Sequence, residues 1–134
     1  MEATNLRSRM ATPQPSYKVL PLPVVQKWAK KELSRSQLRV GIGLARRLRF
    51  YPDVPDLSIE PLGDGMELRI EHPEIGKRGW LRAIFWIDEK SRTIYLVDLF
   101  WKKTNAISTA DKLRANYRIR GLKAARVAGT KPWA

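Results

Sequence analysis

Hydrophobic and polar positions change period several times along the chain, and each change marks an element. Tyr17–Leu22 reads as a short extended segment, and Pro21 and Pro23 confine it to a sheet edge because proline donates nothing to a ladder. From Val24 the period is helical: Val24, Val25, Trp28 and Leu33 share one face, while Lys27, Lys30, Lys31 and Glu32 decorate the other. A second helix starts after Ser34 or Ser36, either of which can cap it, and its apolar line is Leu38, Ile42, Ala45 and Leu48. Two amphipathic helices with a tight joint predict an αα-hairpin. Pro52–Gly65, rich in proline and aspartate, reads as a connector ending in the Gly63-Asp64-Gly65 turn.

Beyond that turn the period is two. Met66, Leu68 and Ile70 alternate with Glu67, Arg69 and Glu71, as in a half-buried strand. His72–Gly79 is a loop. Trp80–Ile87 is a strand with Leu81, Ala83, Phe85 and Ile87 on one side and Trp80, Arg82, Ile84 and Trp86 on the other. Asp88–Arg92 makes a polar turn, and Thr93–Trp101 is nearly continuous apolar, the mark of a central strand. Ser108 caps a last helix with Asp111 in its first turn, and Leu113, Tyr117 and Ala124 run along one side of it as its apolar stripe. Arg114 and Arg118 run along another side. The order β-α-α-β-β-β-α predicts an α+β domain at 17–124, a small antiparallel sheet of about four strands with the helical hairpin on one face. Residues 1–16 read as a flexible arm and 125–134 as a basic tail. The second face of the sheet, only partly covered, is where a cleft belongs.

Composition narrows the chemistry. The 134 residues contain no cysteine and one histidine, which excludes disulfide scaffolds, cysteine-ligated zinc, thiol nucleophiles and histidine-rich metal centres. No apolar run approaches the roughly 20 residues that span a bilayer, and no secretory signal opens the chain, so a cytoplasmic protein is expected. Charge is the dominant feature: 26 Lys and Arg against 13 Asp and Glu leave a net +13. The positive charge concentrates in 17–51 and 79–134, on either side of an acidic stretch at 52–78. A domain of this balance meets a polyanion, whether nucleic acid, an acidic protein segment or anionic lipid.

The strings Glu67–Ile70 (ELRI), Gly79–Ile87 (GWLRAIFWI), Thr93–Ser108 (TIYLVDLFWKKTNAIS) and Ala110–Ile119 (ADKLRANYRI) carry a family resemblance. With the hairpin upstream, residues 17–124 resemble the RelE/HigB superfamily of bacterial toxins, in particular its phage-derived HigB-like branch. The resemblance implies a ribosome-dependent mRNA endonuclease that uses neither metal nor cofactor. Its implied partners are the ribosome, mRNA and a cognate antitoxin, small and of helix-turn-helix type. The implied reaction is attack of a ribose 2′-OH on the adjacent phosphate, which asks for a proton acceptor, cations around the phosphorane and an acid for the leaving oxygen.

Carried over residue by residue, Arg82 matches the family's strand arginine and is the first candidate for contact with the scissile phosphate. Its parity aims it away from the Leu81 face, between Trp80 and Trp86, and a guanidinium keeps its charge and two-pronged geometry there. Lys102 and Lys103 match the basic pair leaving the last strand, where one lysine, its pKa lowered by the other, accepts a proton. Thr104 follows as a phosphate or turn hydrogen-bonding group. Glu67 and Arg69 occupy the Glu-x-Arg strand, as an orienting ion pair or a link to Arg82. His72 stands either as an acid–base group or as an ordinary loop residue. Trp80, Trp86 and Trp101 are candidates for stacking on extruded bases, at most one of them in that role, against the plainer reading that strand tryptophans pack a core. Lys27, Lys30, Lys31, Arg39, Arg46 and Arg47 form a helix-surface field for RNA or an acidic antitoxin segment.

Two other functions fit the same chain. One is a non-nuclease toxin of ParE type that poisons DNA gyrase, against which the Lys102-Lys103 run beside Arg82 argues. The other is a basic nucleic-acid-binding module without catalysis.

Overall fold

In the computed structural model, residues 14–75, 80–102 and 106–129 are described, without the side chain of Trp80. Strand β1 (Lys18–Pro21) leads into helices α1 (Pro23–Glu32) and α2 (Arg35–Arg47), and a 3₁₀ turn (Leu48–Phe50) closes the hairpin. Strands β2 (Ser58–Leu62), β3 (Gly65–Ile70), β4 (Trp80–Asp88) and β5 (Thr93–Lys102) follow, then helix α3 (Thr109–Ala128). The sheet order is β1-β5-β4-β3-β2, with β1 parallel to β5 and every other pair antiparallel.

The α+β class, the proline-guarded edge strand and the inner position of β5 match the sequence reading. One strand does not: the sheet has five strands, because Ser58–Leu62, expected as connector, pairs with β3 as the opposite edge. Pro61 and the loop-like composition hide it, and an edge strand tolerates both. Its hairpin turns at Gly63, whose φ of 57° favours glycine, and Gly65 is required next to it. A Cβ at Gly65 would meet the Phe85 carbonyl oxygen at 2.8 Å and Ile119 Cδ1 at 2.9 Å.

Two of the three helix starts carry a side-chain cap. Ser34, not Ser36, caps α2 through a full capping box with Gln37, and Ser108 accepts from the Asp111 amide at the start of α3. Helix α3 continues to Ala128, four residues into the expected tail, and ends on Gly129 with φ 72°.

Two cores sandwich the sheet. The hairpin side holds Ala29, Leu33, Leu48, Leu68, Ile70, Leu81, Ala83 and Phe85. The α3 side holds Ile84, Trp86, Val97, Phe100, Ala115, Ile119 and Leu122. The expected stripe of α3 is thereby corrected: Ala115, Ile119 and Leu122 face the sheet, whereas Leu113 and Tyr117 are 64% and 79% exposed. Val24 and Ile42, placed inside by spacing, are about half exposed as well. Several apolar faces satisfy a 3.6-residue period, and the partner that selects among them is the sheet. Among the described residues no helix is long and apolar enough to cross a membrane.

Candidate functional site

Strand pairing decides which polar side chains meet. Arg69 lies directly opposite Arg82, Glu67 opposite Ile84, and Lys102 opposite Trp80. Glu67, Arg69, Arg82 and Lys102 therefore share the face of the sheet on which α3 packs.

A β-bulge makes that possible. The β4–β5 register shifts between Ile84 and Phe85: Ile84 faces Asp98, but Phe85 faces Leu96, leaving Val97 as the extra residue. Below the bulge Thr93 and Tyr95 point to the α3 side, and above it Asp98, Phe100 and Lys102 do. In an unbroken strand Lys102 would point with Ile94 and Leu96, away from Arg82. One inserted residue re-aims the end of β5 onto the α3 face of the sheet.

Glu67 is the hub of the cluster. Its Oε2 lies 2.9 Å from Arg82 Nε and 3.9 Å from Lys102 Nζ. All three are buried, at 5%, 1% and 6% exposure for Glu67, Arg82 and Lys102. Burial lowers the Arg82 pKa, opposed by the charge of Glu67 and aided by that of Arg69. A buried cation of this kind is tolerable only when paired, which is what Glu67 does. Arg69, half-buried, reaches Glu60 on β2 at 3.5 Å instead of Glu67. Its Nε is buried without a hydrogen-bond acceptor among the described residues.

A second polar network fixes the helix over this face. Asp98 is 3% exposed and accepts from Arg114 Nε at 2.8 Å and Arg118 at 3.0 Å. Arg118 also donates to the Val97 carbonyl at 2.8 Å, and Arg114 reaches Asp111 at 2.6 Å. Burial works against the charge of Arg114, but hydrogen bonds to Asp98 and Asp111 hold its pKa above the usual value. The sequence reading missed this network. Its signal was an aspartate in the middle of an otherwise apolar strand, which must find cations, and two arginines four apart on the following helix.

The remaining candidates separate. His72 is exposed, and its Nδ1 accepts the Glu74 amide at 3.1 Å, so the ring shapes the turn after β3. The same turn is latched to α2, where Ser36 and Gln37 hydrogen-bond Glu74. Trp86 is corrected from a stacking platform to a core residue: it is 8% exposed, stacked on Tyr95 with centroids 6.1 Å apart, and covered by α3. Arg82 points to the expected face, but Glu67 rather than solvent receives it. Lys103 and Thr104 lie outside the described residues, as does the side chain of Trp80.

Against solved structures, the chain superposes on a double arginine-to-alanine mutant of the E. coli toxin RelE in the free state. The TM-score is 0.56 at 10% identity, over 78% of this chain and 98% of that one. The fold is that of RelE. A RelE–RelB complex from the archaeon Pyrococcus horikoshii OT3 aligns at 24% identity with a TM-score of 0.46, over 68% of this chain and 99% of that one. No protein-family model and no curated protein matches the chain. Within the RelE-like fold, the Glu67–Arg82–Lys102 cluster sits on the α3 face of the sheet and the helical hairpin on the other.

Proposed function

We propose that this chain is the toxin of a toxin–antitoxin pair, a RelE-type endonuclease that cuts mRNA on the ribosome in the cytoplasm. The observation that carries this reading is the gathering of Arg69, Arg82 and Lys102 on one face of a RelE-like sheet, Arg82 and Lys102 about Glu67 and Arg69 beside them on Glu60. The HigB-like branch rests on the sequence strings of β4 and β5.

Three cations around one site are what a pentavalent phosphorane needs, since charge developing on its oxygens is stabilised by preorganised donors. In the reaction the ribose 2′-oxygen forms a bond to phosphorus and loses its proton. The bond to the 5′-oxygen breaks, and that oxygen takes a proton, leaving a 2′,3′-cyclic phosphate. Arg82 and Arg69 fit the phosphate oxygens, Arg69 through an Nε that has yet to find an acceptor. Lys102, with Lys103 beside it in sequence, supplies the ammonium that offsets charge or moves a proton. Without RNA, Glu67 stands in for the phosphate and makes burial of Arg82 affordable. With RNA, the cluster opens and the substrate anion takes the place of Glu67.

The partner that masks this surface is a cognate antitoxin with an acidic segment, matched to a chain of net charge +13. Near-complete burial of Arg82 favours a second reading, a non-nuclease toxin of ParE type in which the ion pair is structural.

One experiment separates them. The chain is induced alone, and a reporter mRNA is mapped by primer extension with translation running or blocked. Growth arrest with translation-dependent cuts inside coding regions supports the nuclease. Arrest with intact mRNA and gyrase-linked DNA breaks replaces it with the second reading. Lys102→Ala restores growth with the fold intact if the nuclease reading holds.

A further inference from the structure

The hairpin does not close fully onto the sheet. Helix α2 buries no residue completely: Leu38, Val40, Leu44 and Ala45 are only partly buried, and Ile42 faces out. Ala29, Leu33 and Leu48 pack onto the sheet, and beside them a cleft of about 360 Å³, open to solvent along one side, runs between the helices and the sheet. Its floor includes Ile70, Leu81 and Ala83, and its roof includes Ala29 and Ala45. Its volume falls in the range of small-molecule sites.

The mouth of the cleft is cationic. Lys30 of α1, Arg46 of α2 and Arg49 after it line the space, and all three are exposed. The single acidic residue among the described lining residues is Asp98, whose carboxylate lies on the other face of the sheet, held by Arg118 and Arg114. An apolar interior with a positive rim selects an aliphatic chain carrying one anionic head.

We propose that this cleft is a ligand site for a medium-chain aliphatic carboxylate, with the chain between hairpin and sheet and the carboxylate at Lys30 and Arg46. The site lies on the face of the sheet opposite Glu67, Arg82 and Lys102, so it is independent of the proposed nuclease centre. Occupancy would fill the space under α2 and tighten the hairpin.

The test is calorimetric titration of the full chain with decanoate below its micelle concentration, with decanol as the uncharged probe and thermal unfolding as a second readout. Expected are saturable binding near one per chain and a higher Tm. Ala83→Leu and Ala45→Phe, which fill the space from floor and roof, abolish binding without lowering Tm. The double variant Lys30→Glu/Arg46→Glu, which leaves the interior alone, weakens decanoate about five- to tenfold and leaves decanol unchanged. If the filling variants unfold, the charge-reversal pair alone decides. Absence of saturable binding overturns the proposal. So does decanoate binding that survives charge reversal, or that survives cavity filling in a folded variant, because adsorption to a basic surface explains it. Saturable binding of an acidic amphipathic helical peptide with none of decanoate also overturns it, in favour of a protein-docking groove.

Discussion

Glu67 Oε2 lies 2.9 Å from Arg82 Nε, and both side chains are shut off from solvent. This ion pair stabilises the strand that carries Arg82, and on the proposed function its carboxylate yields when a phosphate arrives, so that stability and activity are opposed there.

Removing one partner strands the other as a buried charge. Glu67→Met is expected to lower unfolding free energy by about 3–5 kcal/mol, and Arg82→Leu by a similar amount. The double change Glu67→Met/Arg82→Leu should recover most of the loss, because the desolvation cost of both charges disappears with them. Urea unfolding of the four proteins, read as a double-mutant cycle, checks this.

Arg69 offers the cleaner functional test. It is half-buried and bound to the exposed Glu60 at 3.5 Å, so Arg69→Ala should change stability by less than about 1 kcal/mol. If Arg69 meets the phosphate, the same substitution should slow mRNA cleavage by about 10²–10³. Cleavage rate on programmed ribosomes, set beside the unfolding midpoint, tells the two effects apart.

The Asp98 network anchors α3. Asp98→Asn removes the charge that Arg114 and Arg118 share, with an expected cost of about 1.5–3 kcal/mol. The loss should be local first: amides of Thr109–Ala128 should exchange faster, while those of β3 and β4 keep their protection. Hydrogen-exchange mass spectrometry reads this directly.

Two phenols, Tyr17 buried and Tyr95 partly buried, set an alkaline limit. A hydrogen bond to Glu89 and burial raise the Tyr17 pKa, and burial with the charge of Asp88 raises that of Tyr95. A raised folded-state pKa means that the native state holds the proton more tightly than the unfolded chain. That stabilisation is complete below the unfolded value of about 10 and disappears as pH rises through the folded values. The urea midpoint should fall above pH about 10, and Tyr95→Phe should lessen the fall.

Helix α3 also tests the choice of core face. Ile119→Ala should cost about 2–5 kcal/mol, whereas Leu113→Ser, on the exposed side, should stay within about 0.5 kcal/mol. Equal losses at both positions would contradict the orientation of the helix.

What the sequence determined by itself was whatever depends on neighbours within a few residues. Ser108 caps because a hydroxyl three residues from an amide needs no distant partner, and for α2 the same rule leaves Ser34 or Ser36. Pro21 and Pro23 keep β1 at an edge, and alternation at Met66–Ile70 places Glu67 and Arg69 together. The resemblance in β4 and β5 points to the RelE-like fold. Tertiary structure decided the rest, because each of those outcomes depends on a partner far along the chain. Ser58–Leu62 is a strand only because β3 offers it a ladder. Leu113 and Tyr117 are outside because the sheet selects the Ile119 face. Lys102 joins Arg82 because the single extra residue Val97 reverses the parity of β5, and nothing in TIYLVDLFWK marks where that residue falls. The space beneath α2 is likewise invisible in a helical pattern, since periodicity tells which side is apolar and not how closely that side is packed.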